Sequence, residues 1–235
     1  RARCAELDAT FHLVRADLPA DVTLDGSHFA METRHWGRLR LFTPLVGQHQ
    51  VRNAVLAVSA LDLIGERYAV AGTALTEGVQ RVHWPGRFEV RHSARTWIFD
   101  VAHNEAGVEA LVETFRRFDL PRPVVTLIGI LGDKDWPRML PALFGLSDHV
   151  ILTIPPTAPP NRAWDPDRVL HDLNSAGVVV EPDFRRALEH AQMLSAPAGT
   201  VLVTGSFHTV GDALAILGWS ELEPDFPLQH NVFHG

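Results

Sequence analysis

Apolar residues in the second half of this chain come in two alternating rhythms. Short apolar runs, the pattern of buried strands, are followed by stretches in which apolar positions recur every three to four residues, the pattern of amphipathic helices. The clearest case is Trp97-Ile98-Phe99, which runs into Asp100-Val101-Ala102-His103-Asn104. Val108, Leu111, Val112 and Phe115 then recur at i, i+3, i+4 and i+7, which defines one apolar helix face. The pattern predicts strands over 88–92 and 96–100 and a helix over 105–118. Residues 123–131 are almost continuously apolar, as in a strand buried on both faces. A helix over 136–144, a strand over 149–154 and a rigid proline-rich loop over 155–160 follow. The next helix starts near Pro166 with Asp165 as its cap. A strand over 178–180, a helix over 184–194, a strand over 200–204 and a helix over 210–217 complete the series. Such alternation implies an α/β fold, a mostly parallel doubly wound sheet with helices on both faces.

The first part reads differently. Residues 1–46 are β-rich, with a strand predicted over 10–14, a turn at Asp25-Gly26, and hairpin arms over 29–35 and 38–42 around Trp36-Gly37. A helix over 48–64 carries Val51, Val55, Val58 and Leu61 on one stripe, with Gly65 as its stop. A second helix over 73–82 leads to Pro85-Gly86, where the pattern breaks and a hinge between domains is expected. The predicted division is therefore 1–84, 85–220 and a loosely held tail, 221–235.

Composition narrows the class. The chain has 235 residues, 46% hydrophobic and 21% charged, as a water-soluble globular protein has. A net charge of −7 without any basic block argues against a nucleic-acid partner. No apolar run is long enough for a membrane span, and one cysteine excludes an internal disulfide, so a cytoplasmic protein with no membrane partner is expected. A monomer is expected as well. The chain starts Arg-Ala-Arg without methionine and reads as part of something longer. Of its 21 basic residues only Lys134 is a lysine, so a Gly-x-x-x-x-Gly-Lys-[Ser/Thr] phosphate loop has no place in it.

The polar residues that could carry chemistry follow predicted strands. Asp100, His103 and Asn104 follow one, Lys134 another and Ser206 a third. In an open α/β sheet those positions share the rim on which ligands bind. Asp100 can accept hydrogen bonds from a ribose or an amine, or simply cap the next helix. His103 and Asn104 can reach an anion at a helix start, and a lysine and a serine hydroxyl can hold a carboxylate. Lys134 between two aspartates also fits a solvated surface charge. Asn53 has an amide able to read an adenine edge, and Arg87, beside the hinge, a fork able to bind two oxygens.

Five segments occur in a telling order: Gly47-Gln-His-Gln-Val-Arg-Asn53, Pro85-Gly-Arg-Phe88, Asp100-Val-Ala-His-Asn104, Gly132-Asp-Lys-Asp135 and Thr204-Gly-Ser-Phe-His-Thr-Val-Gly211. Together they resemble the Mur ligase superfamily, and within it the bacterial dihydrofolate synthase/folylpolyglutamate synthase family. The resemblance implies a Rossmann-like C-terminal glutamate-ligase domain over 85–220, preceded over 1–84 by a β-hairpin and helical part of the ATP-binding domain. It implies ATP and Mg²⁺ as cofactors, with the metal ligands upstream of this chain, and glutamate with dihydropteroate or a folate as substrates. In that scheme Asn53 contacts adenine, and Arg87 and Asp100 contact ribose and phosphate. His103 and Lys134 act in catalysis, and His103, Asn104, Lys134 and Ser206 line the glutamate. The phosphate loop and the metal-binding lysine of the family have no counterpart here, so this portion alone is expected to be inactive. Glu105 stands where the family usually has proline, and a carboxylate there could repel an anionic ligand. Two alternatives stay open, a Mur-superfamily ligase for another amino acid and a non-catalytic nucleotide-binding module.

Overall fold

A computed structural model describes residues 1–68, 70–173 and 177–220. The predicted loose tail, 221–235, lies outside the described residues. The chain divides into two compact units, residues 1–91 with 109–119, and residues 92–108 with those from 120 onward.

The first unit starts with a short helix α1 (Ala2–Glu6) and a three-stranded antiparallel sheet of β1 (Ala20–Thr23), β2 (Gly26–Thr33) and β3 (Gly37–Thr43). Phe29 faces Leu41 across the β2–β3 ladder. These two and Met31 form a core with Val51, Val55 and Val58 of α2 (Gln48–Tyr68) and Leu75 of α3 (Gly72–Gln80). Each such side chain contributes about 1.5–3 kcal/mol by leaving water.

Two expectations fail in this unit. Residues 10–14 form no strand, although Phe11, Leu13 and their neighbours alternate as a strand would. Phe11 and Leu13 point outward, 44% and 74% exposed, while Val14, Ala16 and Leu18 pack on the core from a segment without a ladder partner. Gly65 does not end its helix, which continues to Tyr68. A glycine stops a helix only where it turns left-handed, and here it stays helical.

Asp62 of α2 ties the β2–β3 turn to that helix. Its carboxylate accepts the backbone N–H groups of Arg34 at 2.9 Å and His35 at 3.0 Å, and lies 2.9 Å from His35 Nδ1. Burial alone would raise its pKa, but those N–H donors and the His35 ring outweigh it and hold the carboxyl below the ordinary value. The stability it contributes is present above the unfolded pKa of about 3.9 and is lost as pH falls through the lower folded value. Asp62→Ala is expected to lower stability by about 1–3 kcal/mol, because buried donors lose their acceptor. Urea unfolding at neutral pH checks this; an unchanged midpoint would mean the turn holds without the carboxylate.

The second unit is built on a six-stranded, mostly parallel sheet. Its strands are β4 (Glu89–His92), β5 (Thr96–Asp100), β6 (Val124–Ile128), β7 (His149–Leu152), β8 (Val178–Val180) and β9 (Thr200–Thr204), in the order β4-β5-β9-β6-β7-β8. Every residue of β5, β6 and β9 is buried. One face, with Phe99, Leu127, Ile151 and Val203, packs on α7 (Phe184–Leu194) and α8 (Phe207–Ile216). The opposite register, with Ile98, Ile128 and Leu202, is equally buried, so neither face meets water. Helices α5 (Trp136–Phe144) and α6 (Pro166–Leu173) also belong to this unit, whereas α4 (Glu105–Phe115) starts in it and from residue 109 is counted with the first. Asp165 caps α6 as expected, its Oδ1 accepting from Arg168 N at 3.1 Å. Helix α8 begins three residues earlier than the apolar period predicts, because Ser206 caps it.

Candidate functional site

In the first unit a cleft of about 710 Å³ opens beside α2 and α3. Leu45, Ala54, Ala57, Leu75 and Val79 are among its apolar walls, and His49, Gln50, Asn53 and Arg87 bring polar groups to it. Asn53 Nδ2 donates to Gln50 Oε1 at 3.1 Å, which orients both amides. Gly47, at φ +119°, opens the α2 turn; a Cβ there would meet the His49 ring and Thr114 Oγ1 at 2.8 Å. Only glycine lets the imidazole fold back this closely.

Arg87 is held by strained backbone. It lies between Gly86 at φ +71° and Phe88 at φ +46°, and a left-handed phenylalanine costs about 1–3 kcal/mol. The fully buried Phe88 ring offsets that by packing on Phe115 and Phe118 at 6.4 and 5.9 Å. The Arg87 guanidinium in turn lies 5.9 Å from the Trp84 ring.

His49 and Trp84 are cleft residues that reading for motifs passed over. His49 stood inside a quoted segment, and Trp84 stood next to Pro85-Gly86, which were signals enough. Burial lowers the His49 pKa, the Glu113 carboxylate opposes that, and Arg87 and Arg52 reinforce it. Its imidazole therefore stays neutral in the fold while an unfolded histidine gains a proton below about pH 6.5. The folded state accordingly loses stability as pH falls from about 6.5 through the lower folded value. Urea titrations between pH 7.5 and 5.5 are expected to show this loss and to show less of it in His49→Gln. Equal slopes for the two proteins would remove His49 as its source.

In the second unit, β9 lies between β5 and β6, so the turns after these three strands share one rim. Asp100 ends β5, is 7% exposed, and accepts from Ala102 N at 2.8 Å through Oδ1. Asn104 Oδ1 accepts from Gly107 N at 2.8 Å in the first turn of α4. The cap expected as the plain alternative for Asp100 is thus supplied by Asn104. His103 Nδ1 lies 3.0 Å from the Val101 carbonyl oxygen, which can only accept. That contact puts the proton on Nδ1 and leaves Nε2 of a neutral ring as an acceptor. The ring meets Phe207 at 5.4 Å, joining the turns after β5 and β9.

Ser206 has a task other than the expected carboxylate contact. It is 2% exposed, its Oγ accepts from Thr209 N at 3.1 Å, and it lies 2.8 Å from Thr209 Oγ1. Thr209 Oγ1 spends its own hydrogen on the Gly129 carbonyl at 2.6 Å, so the Ser206 hydrogen goes to Thr209. Ser206 shapes the start of α8 and ties it to the segment after β6. Lys134, beyond that segment, has its ammonium 3.5 Å from Asp133 and a side chain 27% exposed. Glu105 is paired with Arg138 at 3.2 Å, which tempers the repulsion expected from that carboxylate. Asn53 and Arg87 belong to the first unit, and Asp100, His103, Asn104, Lys134 and Ser206 to the second. Among the described residues no group of three or more His, Cys, Asp or Glu side chains could hold a metal ion. No helix among them is long and apolar enough to cross a membrane.

Residues 86–207, just over half of the chain, match the family described as Mur ligase, glutamate ligase domain. The chain belongs to that family. It is 31% identical, over 88% of its length, to a probable bifunctional folylpolyglutamate synthase/dihydropteroate synthase of Halobacterium salinarum, of which it covers 24%. It is 39% identical, over 48% of its length, to a dihydrofolate synthase/folylpolyglutamate synthase of Mycobacterium tuberculosis, again covering 24% of the relative. A solved structure of Mycobacterium tuberculosis folylpolyglutamate synthase complexed with ADP superposes with a TM-score of 0.80 at 28% identity. That likeness takes in 92% of this chain and 51% of the other. The chain thus spans about a quarter of these two curated relatives and half of the solved enzyme. Asp100–Asn104 and Gly132–Asp135 fall within the matched Mur ligase stretch, Pro85–Phe88 all but its first residue, and Thr204–Gly211 by half; Gly47–Asn53 lies outside it and within the first unit.

Proposed function

We propose that this chain is the C-terminal portion of an ATP-dependent ligase that joins L-glutamate to dihydropteroate, to folates, or to both. The observation that carries the reading is the rim itself. There a tautomer-fixed imidazole, an amide-capped helix start and a lysine turn follow strands β5 and β6, in a Mur ligase domain similar to folylpolyglutamate synthases. In the proposed reaction the γ-phosphoryl group of ATP passes to the substrate carboxylate, giving an acyl phosphate and ADP. The glutamate amine then attacks the acyl carbon, phosphate leaves with the bonding pair, and the amine gives up a proton as the amide forms.

The apolar cleft with amides at its mouth suits a purine, and Asn53 reads its edge. Arg87 and Asp100 hold phosphate and ribose. Lys134 holds a glutamate carboxylate, and His103 Nε2 accepts a hydrogen bond from the amine and orients it. Asn104 and Ser206 keep the two helix starts in shape around that substrate. Mg²⁺ bound with the nucleotide would neutralise phosphate charge and would take its protein ligands from outside this chain. The hinge between the ATP-binding part and the glutamate-ligase part lies at Pro85-Gly86. The whole works as a monomer in the cytoplasm, through positioning and charge stabilisation more than through covalent chemistry with the protein.

The test is direct. The purified 235-residue chain is expected to form no product from Mg-ATP, glutamate and dihydropteroate or tetrahydrofolate. The ligase that carries this chain with a phosphate loop is expected to form it, and added hydroxylamine should trap the acyl phosphate as a hydroxamate. Turnover by the 235-residue chain would contradict the division of labour. A complete protein that transfers another amino acid, or none, would sink the folate reading.

A further inference from the structure

The loop after β7 was legible in sequence only as a proline-rich connection, and the proposed reaction gives it no task. It is nevertheless tied down at both ends. Thr157 donates to Asp212 Oδ2 of α8 through both its backbone N–H and its hydroxyl, each at 3.1 Å. Trp164, 5% exposed, donates its indole N–H to the Thr153 carbonyl at 2.8 Å. Between these anchors, Arg162 meets the turn that carries Lys134. Its guanidinium makes three hydrogen bonds to the Asp133 carboxylate, at 2.9, 3.0 and 3.2 Å. The backbones touch as well. Gly132 N donates to the Arg162 carbonyl at 2.8 Å, and a Cβ on Gly132 would lie 2.6 Å from the Ala163 oxygen.

We infer that Arg162, acting through Asp133, is a positioning residue for the amino-acid subsite, and that the 155–163 loop braces the Lys134 turn. The inference rests on the proposed role of Lys134. Two physical effects carry it. A fork bound to one carboxylate at three points fixes the neighbouring residue more tightly than a single contact would. The same guanidinium also shares the Asp133 charge with the Lys134 ammonium 3.5 Å away. Without Arg162, Asp133 would become the full counter-ion of Lys134 and compete with the substrate carboxylate for it.

Steady-state kinetics of the complete ligase separate this from a merely structural ion pair. Arg162→Ala is expected to raise the Michaelis constant for glutamate about tenfold, with kcat and the ATP constant within about twofold. Arg162→Lys, which keeps the charge without the fork, should recover part of the loss. The double variant with Lys134→Ala should bind glutamate no worse than Lys134→Ala alone, because both act on one contact. Thermal unfolding of Arg162→Ala within a few degrees of the parent should accompany these changes. A glutamate constant within about twofold of the parent in Arg162→Ala, while Lys134→Ala is impaired, overturns the brace and leaves the Lys134 reading standing. Fully additive losses in the double variant also overturn it. A normal glutamate constant in Lys134→Ala removes the reading beneath, and the brace falls with it.

Discussion

Lys134→Ala is expected to raise the Michaelis constant for glutamate about thirty- to a hundredfold in the proposed complete ligase and to leave that for ATP nearly unchanged. The expectation starts from position. Lys134 is the one lysine in 235 residues, and it follows a buried central strand on the rim where His103 also lies. If Lys134 holds the glutamate carboxylate as proposed, removing its ammonium would deprive that substrate of its main charge partner, a loss of about 2–3 kcal/mol. Lys134→Arg should restore only part of this, since a planar fork does not replace a compact ammonium at short range. The competing account is the ion pair with Asp133 at 3.5 Å, with Lys134 27% and Asp133 49% exposed. An exposed pair of that kind adds little to stability, and on that account Lys134 has no part in catalysis. Arg162 and Lys134 together depress the Asp133 pKa, the Arg162 hydrogen bonds being the larger influence. Asp133 therefore stays charged through the pH range of any assay, and the pair by itself introduces no pH dependence. A glutamate constant within about twofold of the parent, roughly 0.4 kcal/mol, would leave only the surface account.

Asp100→Asn is expected to weaken ATP roughly ten- to a hundredfold while the glutamate constant moves by less than about threefold. Asparagine is the better probe because Asp100 also serves the fold. Its Oδ1 accepts from Ala102 N at 2.8 Å in a nearly closed site, and an asparagine carbonyl can keep that bond. What the variant loses is the charge, and with it a charge-assisted hydrogen bond to a ribose hydroxyl worth about 1.5–3 kcal/mol. Asp100→Ala should lose the same contact and some stability besides. Calorimetric titration with a non-hydrolysable ATP analogue, beside glutamate kinetics, measures both arms. An unchanged ATP affinity with a raised glutamate constant would mean that the nucleotide has been assigned to the wrong side of the rim.

Much of this molecule was readable in one dimension. The strand at 96–100 was plain because its buried centre, Trp97-Ile98-Phe99, is an unbroken apolar run, with polar Thr96 and Asp100 only at its ends. The helices at 136–144 and 184–194 begin and end where their apolar periods do. The segments Asp100–Asn104 and Gly132–Asp135 pointed to a ligand rim because polar groups directly after buried strands have few other places to go. Boundaries were less legible. The early start of α8 depends on the Ser206 cap, whose bond to Thr209 leaves no apolar period behind.

Local pattern therefore determined the sheet, its order of elements along the chain and the polar residues on its rim. What it could not reach were the partners that residues find across the fold. Phe11 and Leu13 alternate like a strand and form none, because a strand needs a neighbour and alternation records only one side of the pair. The Ser206 hydroxyl looked available for a substrate until its hydrogen was traced to Thr209. His49 lies in the same cleft as Arg87 with 37 intervening residues, and Asp133 meets Arg162 at a separation of 29. Hydrogen bonds and ion pairs act over a few ångströms in space and impose no spacing along the chain, so only the folded structure decides which groups they join.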